Sequence, residues 1–234
     1  MDYDEWNPVY EAILADFGYP RDGDETARDR LRALIGDYPT FDPATLGIDG
    51  RRVAVAGAGP SLADETALAA DADLVVAAST AADRLLDAGV AVDLVVTDLD
   101  KHAETVVDLT HQGTPVAIHA HGDNRDLIEA TVPECDCSFV VPTTQAAPAD
   151  PVVNYGGFTD GDRAAFLADH LGAGRLSFPG WDFEDPGVGA EKRRKLRWAA
   201  RLLAWLERHR GERFPVLDGR RDALDPLPGE DYHG

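Results

Sequence analysis

Lysine is almost absent from this sequence. Its 234 residues include three Lys against 19 Arg, and 31 Asp with 12 Glu bring the formal net charge to −21. The acids are spread along the whole chain, so an acidic partner-binding tail, which would be a block of like charge, is not indicated. Such self-repulsion destabilises a compact protein in ordinary salt. Molar salt shortens the Debye length to about 3 Å and screens it, so we expect a salt-adapted protein from a high-salt cytoplasm.

Long apolar segments are missing as well. No apolar run approaches the roughly 18 residues of a membrane-spanning helix, and the acidic N-terminus, MDYDEWNPVY, lacks the basic region of a signal peptide. We expect a cytoplasmic protein that binds no membrane. The negative charge also argues against nonspecific nucleic-acid binding, which needs Lys and Arg to neutralise phosphates.

Cysteine is scarce. Cys135 and Cys137 stand one residue apart and no other cysteine occurs. Four thiolate ligands for a metal would need a second pair, and a disulfide framework would need more cysteines. We interpret the two as small residues at the start of a buried strand, CSFVV.

Short apolar runs, by contrast, are abundant and alternate with helical patterns. The runs are RRVAVAG (51–57), DLVVAAS (73–79), VDLVVTD (92–98), PVAIHAH (115–121), CSFVVP (137–142) and RLSFPG (175–180). Helices are expected between them at about 62–70, 80–88, 101–112, 123–131 and 160–172. Strands that are continuously apolar, with helices between, predict a parallel sheet covered on both faces. We therefore expect an α/β fold with a doubly wound, mainly parallel, Rossmann-like sheet of about six strands.

Further segments precede and follow the predicted sheet in sequence. Residues 1–48 carry two helical patterns, one containing Trp6, Tyr10, Ile13, Leu14 and Phe17, and one containing Leu31, Leu34 and Ile35 after an acidic stretch. We predict an N-terminal helical extension (1–48), an α/β catalytic domain (49–210) whose last helix covers about 189–210, and a polar C-terminal tail (211–234).

The most informative strand end is the third, Thr97-Asp98-Leu99-Asp100. Open α/β sheets bind ligands at the carboxyl ends of their strands, and residues two apart on a strand project to the same side. Two such carboxylates repel each other unless a cation joins them, and Mg²⁺ is usually held by one or two carboxylates plus substrate phosphates. We predict a Mg²⁺–nucleotide site at Asp98 and Asp100. The alternative is that Asp98 caps the next helix and Asp100 is a solvated acid of its first turn.

The first and fourth strand ends carry weaker signals. After the first strand stands Gly57-Ala58-Gly59-Pro60-Ser61, which is neither GxGxxG nor a P-loop. Its glycines would let the backbone approach a ligand, and the free NH groups of a helix start attract phosphate; the alternative is a plain tight turn. After the fourth strand, alternation places His119, His121 and Asp123 together. Contacts to phosphate or to a neighbouring carboxylate are favoured over zinc, because no third soft ligand is present; packing or helix capping is the alternative.

Two later segments add charged and aromatic groups. The long connection 142–159 ends in GGFTDGDR, where Arg163 could bind phosphate with two parallel hydrogen bonds and where Thr159 or Asp160 could simply cap a helix. Trp181 and Asp182 follow the sixth strand. The last helix then opens with a basic stretch that contains Lys192 and Lys195, which indicates triphosphate contacts or a solvated basic face.

Taken in order, GPSL, VVTDLD, HAHGDN, GGFTDGDRA and GWDF followed by EKRRKL resemble the archaeal 6-hydroxymethyl-7,8-dihydropterin pyrophosphokinases of the MptE type, over about residues 50–206. The resemblance implies transfer of the β,γ-diphosphate of ATP to the hydroxymethyl group of a reduced pterin, with Mg²⁺ and release of AMP, in folate or methanopterin biosynthesis. It implies a fold similar to that of thiamine pyrophosphokinases and, with the acidic composition, a halophilic archaeon as the source. Whether a second copy of the chain is a partner is left open.

The same resemblance implies roles for individual residues. Asp98 and Asp100 would hold Mg²⁺, and Gly57, Gly59, Pro60 and Ser61 would lie by the nucleotide. Beside the same pocket would lie His119, His121, Asp123 and Asn124, and facing the phosphates or the pterin would be Asp160, Asp162 and Arg163. From the chemistry of the reaction, a carboxylate or His121 could accept the alcohol proton, with Asp123 next in order. The pterin would stack on an aromatic ring and offer its amino edge to an acid, for which we name Phe158, Trp181 and Asp182.

Three alternatives compete with this interpretation. A thiamine pyrophosphokinase would use the same donor and metal with another alcohol. A dinucleotide or nucleotide-sugar binder would carry an acidic ribose ligand after the second strand, where Ala77-Ala78-Ser79-Thr80 has none. A non-catalytic module would bind Mg–ATP and release no AMP.

Overall fold

A six-stranded parallel sheet forms the centre of the fold in the computed structural model, which describes residues 2–228. The strands are β1 (Arg52–Ala56), β2 (Leu74–Ala78), β3 (Leu94–Thr97), β4 (Val116–Ala120), β5 (Val140–Thr144) and β6 (Arg175–Ser177). Their order is β5-β4-β3-β2-β1-β6, and each neighbouring pair is parallel. Because the winding reverses beside β1, the sheet is doubly wound, and the predicted fold class is confirmed.

Helices cover both faces of the sheet. Residues 2–228 contain α1 (Tyr3–Phe17), α2 (Arg21–Ile35), α3 (Leu62–Ala70), α4 (Ala81–Asp87), α5 (Ala103–His111), α6 (Arg125–Thr131), α7 (Asp160–His170) and α8 (Ala190–Arg210). Successive residues of β1 alternate between two cores, with Val53 and Val55 on one side and Ala54 and Ala56 on the other. Both faces of the strands are therefore buried, which explains why the strands are continuously apolar in sequence.

The two N-terminal helices lie on opposite faces of the sheet. Trp6, Tyr10 and Ile13 of α1 are buried in the first core, with α7 and α8, whereas Leu31 and Ile35 of α2 are buried in the second core, with α3 to α6. These helices therefore form part of both cores. Three residues of the predicted tail are also buried in the first core, namely Phe214, Leu217 and Leu227, while residues 229–234 of that tail lie outside the described residues.

The observed bounds depart from the sequence prediction mainly at β5. The run 137–142 was expected to be a strand, but Cys137–Phe139 form a 3₁₀ turn whose Ser138 NH donates to the Asp136 carboxylate, and the strand itself continues to Thr144. Both cysteines are free thiols that precede the strand rather than open it. At the N-terminus, α2 begins at Arg21, so the acidic stretch expected to precede this helix forms its first turns.

In residues 2–228, no helix combines the length and the apolar composition that crossing a membrane requires.

We expect the stability of the fold to rise with salt concentration. The excess of 43 acids over 22 bases is repulsive, and the Debye length falls from about 10 Å at 0.1 M to about 3 Å at 1 M salt. The urea midpoint, followed by far-ultraviolet circular dichroism, should therefore be higher in about 2 M than in about 0.2 M KCl. Urea is required because guanidinium chloride is itself a salt. Equal midpoints at both concentrations would show that charge repulsion does not limit stability.

Candidate functional site

A cavity of about 610 Å³ lies along the carboxyl edge of the sheet. Its volume is within the roughly 300–1,000 Å³ of small-molecule sites. Its walls come from the ends of β1 to β6 and from α2, α7 and α8. Most of the residues predicted from sequence line it, namely Gly57, Gly59, Asp98, Asp100, His121, Asp123, Phe158, Asp160, Arg163, Trp181, Asp182, Lys192 and Lys195.

The Asp98–Asp100 pair lies in a tight turn just after β3. The strand ends at Thr97, and Leu99 has a left-handed backbone (φ 67°) and a buried side chain. The Leu99 NH donates to Thr97 Oγ1 at 3.0 Å, and the Asp100 NH to Asp98 Oδ1 at 3.3 Å. The pair was expected to share one side through strand alternation. That mechanism is wrong, because the turn at Leu99 is what brings both carboxylates to the cavity.

Asp98 is held by three neighbours. His121 Nε2 lies 3.3 Å and Arg163 Nη1 lies 4.0 Å from Asp98 Oδ2, and the Asn124 side-chain amide donates to the Asp98 carbonyl at 2.8 Å. Burial by itself raises the pKa of Asp98, but the hydrogen bond from His121 and the charge of Arg163 bring it below its usual range. Asp98 is therefore ionised at neutral pH.

The pKa values of two neighbouring acids are shifted in the opposite direction. Burial, followed by the charge of Asp98, raises the pKa of Asp100. The same two causes raise the pKa of Asp160 to about 7, with Arg163 opposing them. Carboxylates this close repel one another, and their oxygens are the ligands that a hard divalent cation prefers. The donor set at Asp98 and Asp100 therefore fits such a cation, although the described chain has no cluster of three or more His, Cys, Asp or Glu arranged around one point.

Arg163 connects α7 to these carboxylates. Its side chain is only 6% exposed, Nη1 lies 2.9 Å from Asp160 Oδ1, and Nη2 donates to Gln145 Oε1 at 3.2 Å. Room for this arginine depends on Gly157, where an added Cβ would lie 2.6 Å from the Arg163 backbone and where φ is +93°. The second glycine of GGFTDGDR thus serves the placement of Arg163.

His121 has both ring nitrogens engaged. Nδ1 lies 3.3 Å from the backbone NH of Asp123, which can only donate, so Nδ1 accepts. Nε2 then carries the hydrogen and donates to Asp98. In this arrangement His121 orients Asp98 and has no free lone pair with which to take a proton.

Some predicted site residues lie behind the cavity wall. His119 is 2% exposed, with Nδ1 3.0 Å from Thr143 Oγ1, and burial lowers its pKa well below the usual value, so it is neutral. Asn124 lies under the turn, where its amide bridges the carbonyls of Asp98 and His119. Asp162 caps α7 by accepting from the backbone NH groups of Phe158 and Thr159. The sequence predicted that these residues line the pocket. In the structure they lie behind its wall and hold the lining residues in position.

Two amides of the glycine turn after β1 are already hydrogen-bonded within the protein. The NH of Gly59 donates to the Gly180 carbonyl at 2.9 Å, and the NH of Ser61 donates to the Asp182 carboxylate at 2.8 Å. On the other side of the turn, Arg84 of α4 donates to the carbonyls of Ala58 and Gly59 at 2.9 Å each. The amides that were expected to attract phosphate at Gly59 and Ser61 are thus bonded to the loop after β6, and neither Pro60 nor Ser61 lines the cavity.

Two buried polar residues of the cavity wall were not found from sequence. Asp24 of α2 accepts from Tyr10 Oη (2.7 Å), Gln145 Nε2 (2.8 Å) and the Gly122 NH (2.7 Å). Nothing in sequence distinguishes Asp24 from the other acids. Gln145 could have been found, because it is the first residue after β5 once that strand is carried to Thr144. Lys101, a third missed residue, also lines the cavity, and the scarcity of lysine was its signal.

A doubly wound parallel sheet with a ligand-sized cavity at its carboxyl edge is the arrangement of nucleotide-binding α/β proteins. The family model described as "6-hydroxymethylpterin diphosphokinase MptE-like" matches residues 35–187. This chain belongs to that family, and the resemblance found from its motifs is confirmed.

Three curated relatives extend the likeness over most of the chain, and each is called a 6-hydroxymethyl-7,8-dihydropterin pyrophosphokinase. The protein of Methanothermobacter thermautotrophicus is 36% identical, with 89% of this chain and 97% of the relative covered. That of Pyrococcus furiosus is 35% identical (88% and 95% covered). That of Methanocaldococcus jannaschii is 32% identical (88% and 96% covered).

Replacing Asp24 should destabilise the fold. In Asp24→Asn, the amide NH₂ faces one of the three groups that now donate hydrogen bonds to the carboxylate. That group loses its acceptor, and a buried donor left unpaired costs about 1–3 kcal/mol. We expect the free energy of unfolding, measured with urea at constant high salt, to fall by about that amount. Asp37→Asn removes the same charge from an exposed position just after α2, and it should change stability by less than about 0.5 kcal/mol. Equal effects of the two substitutions would contradict a structural role for Asp24.

Proposed function

We propose that this chain is a 6-hydroxymethyl-7,8-dihydropterin pyrophosphokinase that moves the β,γ-diphosphate of ATP to the pterin hydroxymethyl oxygen and releases AMP. The observation that supports this most strongly is that acidic, basic and aromatic side chains from separate strand ends line one cavity, in a chain of this family. The acceptor and the type of reaction are taken from the names of the relatives.

Asp98 and Asp100 would hold Mg²⁺ in this proposal. Asp98 is ionised, and the raised pKa of Asp100 reflects burial beside a like charge that the protein does not fully neutralise. A divalent cation relieves that repulsion, and it commonly takes one or two carboxylates together with phosphate oxygens. When bound, Mg²⁺ neutralises the charge of the phosphate oxygens.

The remaining chemistry consists mainly of positioning. The alcohol must approach the β-phosphorus in line with the departing AMP oxygen, and such transfers depend on alignment and on neutralising charge. Arg163 is on the first turn of α7, with its guanidinium at the cavity wall and in contact with Asp160. It therefore supplies a fixed positive charge beside the reacting groups.

A carboxylate of the wall would accept the alcohol proton, because both ring nitrogens of His121 are engaged. Asp160 is the first choice, since a base works best with a pKa near the working pH and the pKa of Asp160 is raised to about 7. Asp123 at the exposed rim is the second.

A kcat that falls in Asp160→Asn but not in Asp123→Asn supports this order, and the opposite result reverses it.

We place the pterin against the wall formed by the glycine turn and the loop after β6. Trp181 is fixed there, because its indole NH donates to the Val55 carbonyl at 2.8 Å and its ring packs edge-on against Phe178 and Phe183. Only one oxygen of the adjacent Asp182 is bonded to the Ser61 NH. The other oxygen is available to the amino edge of a pterin stacked on Trp181.

The products of a single reaction test the proposal. Incubation with ATP, Mg²⁺ and 6-hydroxymethyl-7,8-dihydropterin in high salt should yield AMP and a pterin heavier by one diphosphate, as read by mass spectrometry. Thiamine in a parallel reaction should give no product. Asp98→Asn and Asp100→Asn should lower turnover at least about 100-fold with circular dichroism unchanged, because charge neutralisation supplies much of such catalysis. Formation of ADP, transfer to thiamine alone, or full activity of both variants would contradict the assignment.

A further inference from the structure

All three lysines of the chain line one cavity. Lys101 follows Asp100, and Lys192 and Lys195 lie in the first turns of α8. Everywhere else the chain uses arginine for its fixed positive charges, with 19 Arg against these three Lys. Lysine is therefore confined to the place where the proposed reaction handles phosphate.

The three lysines differ in their contacts. Lys195 Nζ lies 3.6 Å from Glu191 and 6.0 Å from the centre of the Phe158 ring. The ammonium groups of Lys101 and Lys192 form no hydrogen bond or ion pair with the part of the chain that the structure describes, and both side chains are exposed to the cavity mouth. Both ammonium groups are therefore free to bind an anionic ligand at this mouth.

Lys101 and Lys192 approach the acids from different sides of the fold. Lys101 lies two residues before α5, which packs in the second core, whereas Lys192 is on α8, which packs in the first. Both lysines line the cavity that Asp100 also lines. The two side chains therefore reach one cavity although they come from opposite faces of the sheet.

The choice of lysine over arginine has a physical reason here. A guanidinium offers a rigid fork of donors that matches a carboxylate, so an arginine beside Asp98, Asp100 and Asp160 would be held by them, as Arg163 is held by Asp160. An ammonium group is a compact charge on a flexible stem with three donors. It can follow phosphate oxygens as they move, because its stem is flexible and its three donors are not fixed in one plane.

We propose that Lys101 and Lys192 form a two-sided clamp on the diphosphate that is transferred, with Lys195 contributing less because Glu191 already pairs with it. This inference rests on the proposed function, and the ligand class is a polyphosphate chain. Lys101 thereby becomes a phosphate-binding residue beside the metal-binding turn, and α8 contributes to the site through its first turn.

Binding of inorganic tripolyphosphate tests the clamp without turnover. Its Kd would be measured calorimetrically with Mg²⁺ at one fixed KCl concentration. Lys101→Gln and Lys192→Gln should each raise Kd about tenfold, the effect of losing one charge-assisted hydrogen bond. Lys101→Arg should not restore wild-type affinity, and Lys195→Gln should raise Kd less than about threefold. As the control, Arg175→Gln removes one positive charge from the opposite edge of the sheet and should leave Kd unchanged.

Either of two results would overturn the clamp. One is wild-type affinity in Lys101→Gln or Lys192→Gln, and the other is an equal loss in Arg175→Gln, which would reduce the effect to net charge. The native fold of each variant is verified by circular dichroism, and the Lys→Arg variants retain the charge should a Gln variant unfold. Intact tripolyphosphate binding in a chain that forms no AMP would reject the proposed function while leaving the clamp standing.

Discussion

One buried guanidinium holds the acidic edge of this sheet together. Arg163 contacts Asp160 and Asp98 on one side and Gln145 on the other, with almost none of its surface in solvent. Buried carboxylates repel each other, and removing one partner of such a group is costly because it leaves the others uncompensated. The position of Arg163 requires a glycine at position 157, where a side chain would collide with it. Gln145 also links Arg163 to Asp24 of α2. The N-terminal helices are thereby connected to the carboxylates.

The negative charge at this edge of the sheet is only partly neutralised by the protein. The pKa values of the three carboxylates show which of them are least neutralised. His121 and Arg163 keep Asp98 ionised, while Asp100 and Asp160 are left with raised pKa values. Because the oxygen ligands and hydrogen-bond donors of this site are already in place, little reorganisation energy is needed when a charged ligand binds. The missing positive charge is what a divalent cation would supply in the proposed reaction, and the chain's few lysines lie around the same opening.

Sequence patterns predicted the sheet, its helices and the edge that carries the cavity, because strands buried on both faces are continuously apolar and ligands bind at their carboxyl ends. Details that depend on distant contacts were not predictable. The amides of Gly59 and Ser61 are bonded to a loop about 120 residues away in sequence, at Gly180 and Asp182. In TDGDR, composition does not distinguish Asp160 from Asp162, yet the position of each on the first turn of α7 directs one to the cavity and the other to the cap.

In the proposed function, the turn after β3 is the metal-binding element of a diphosphate-transfer site. Its most direct measurement is a crystal structure with Mn²⁺ and an ATP analogue that carries a methylene bridge between the α- and β-phosphates, so that the bond to be cleaved stays intact. An anomalous difference peak in contact with the carboxylates of Asp98 and Asp100 and with phosphate oxygens is the predicted result. A Mn²⁺ peak elsewhere, or an analogue bound with no metal at these two residues, would contradict it.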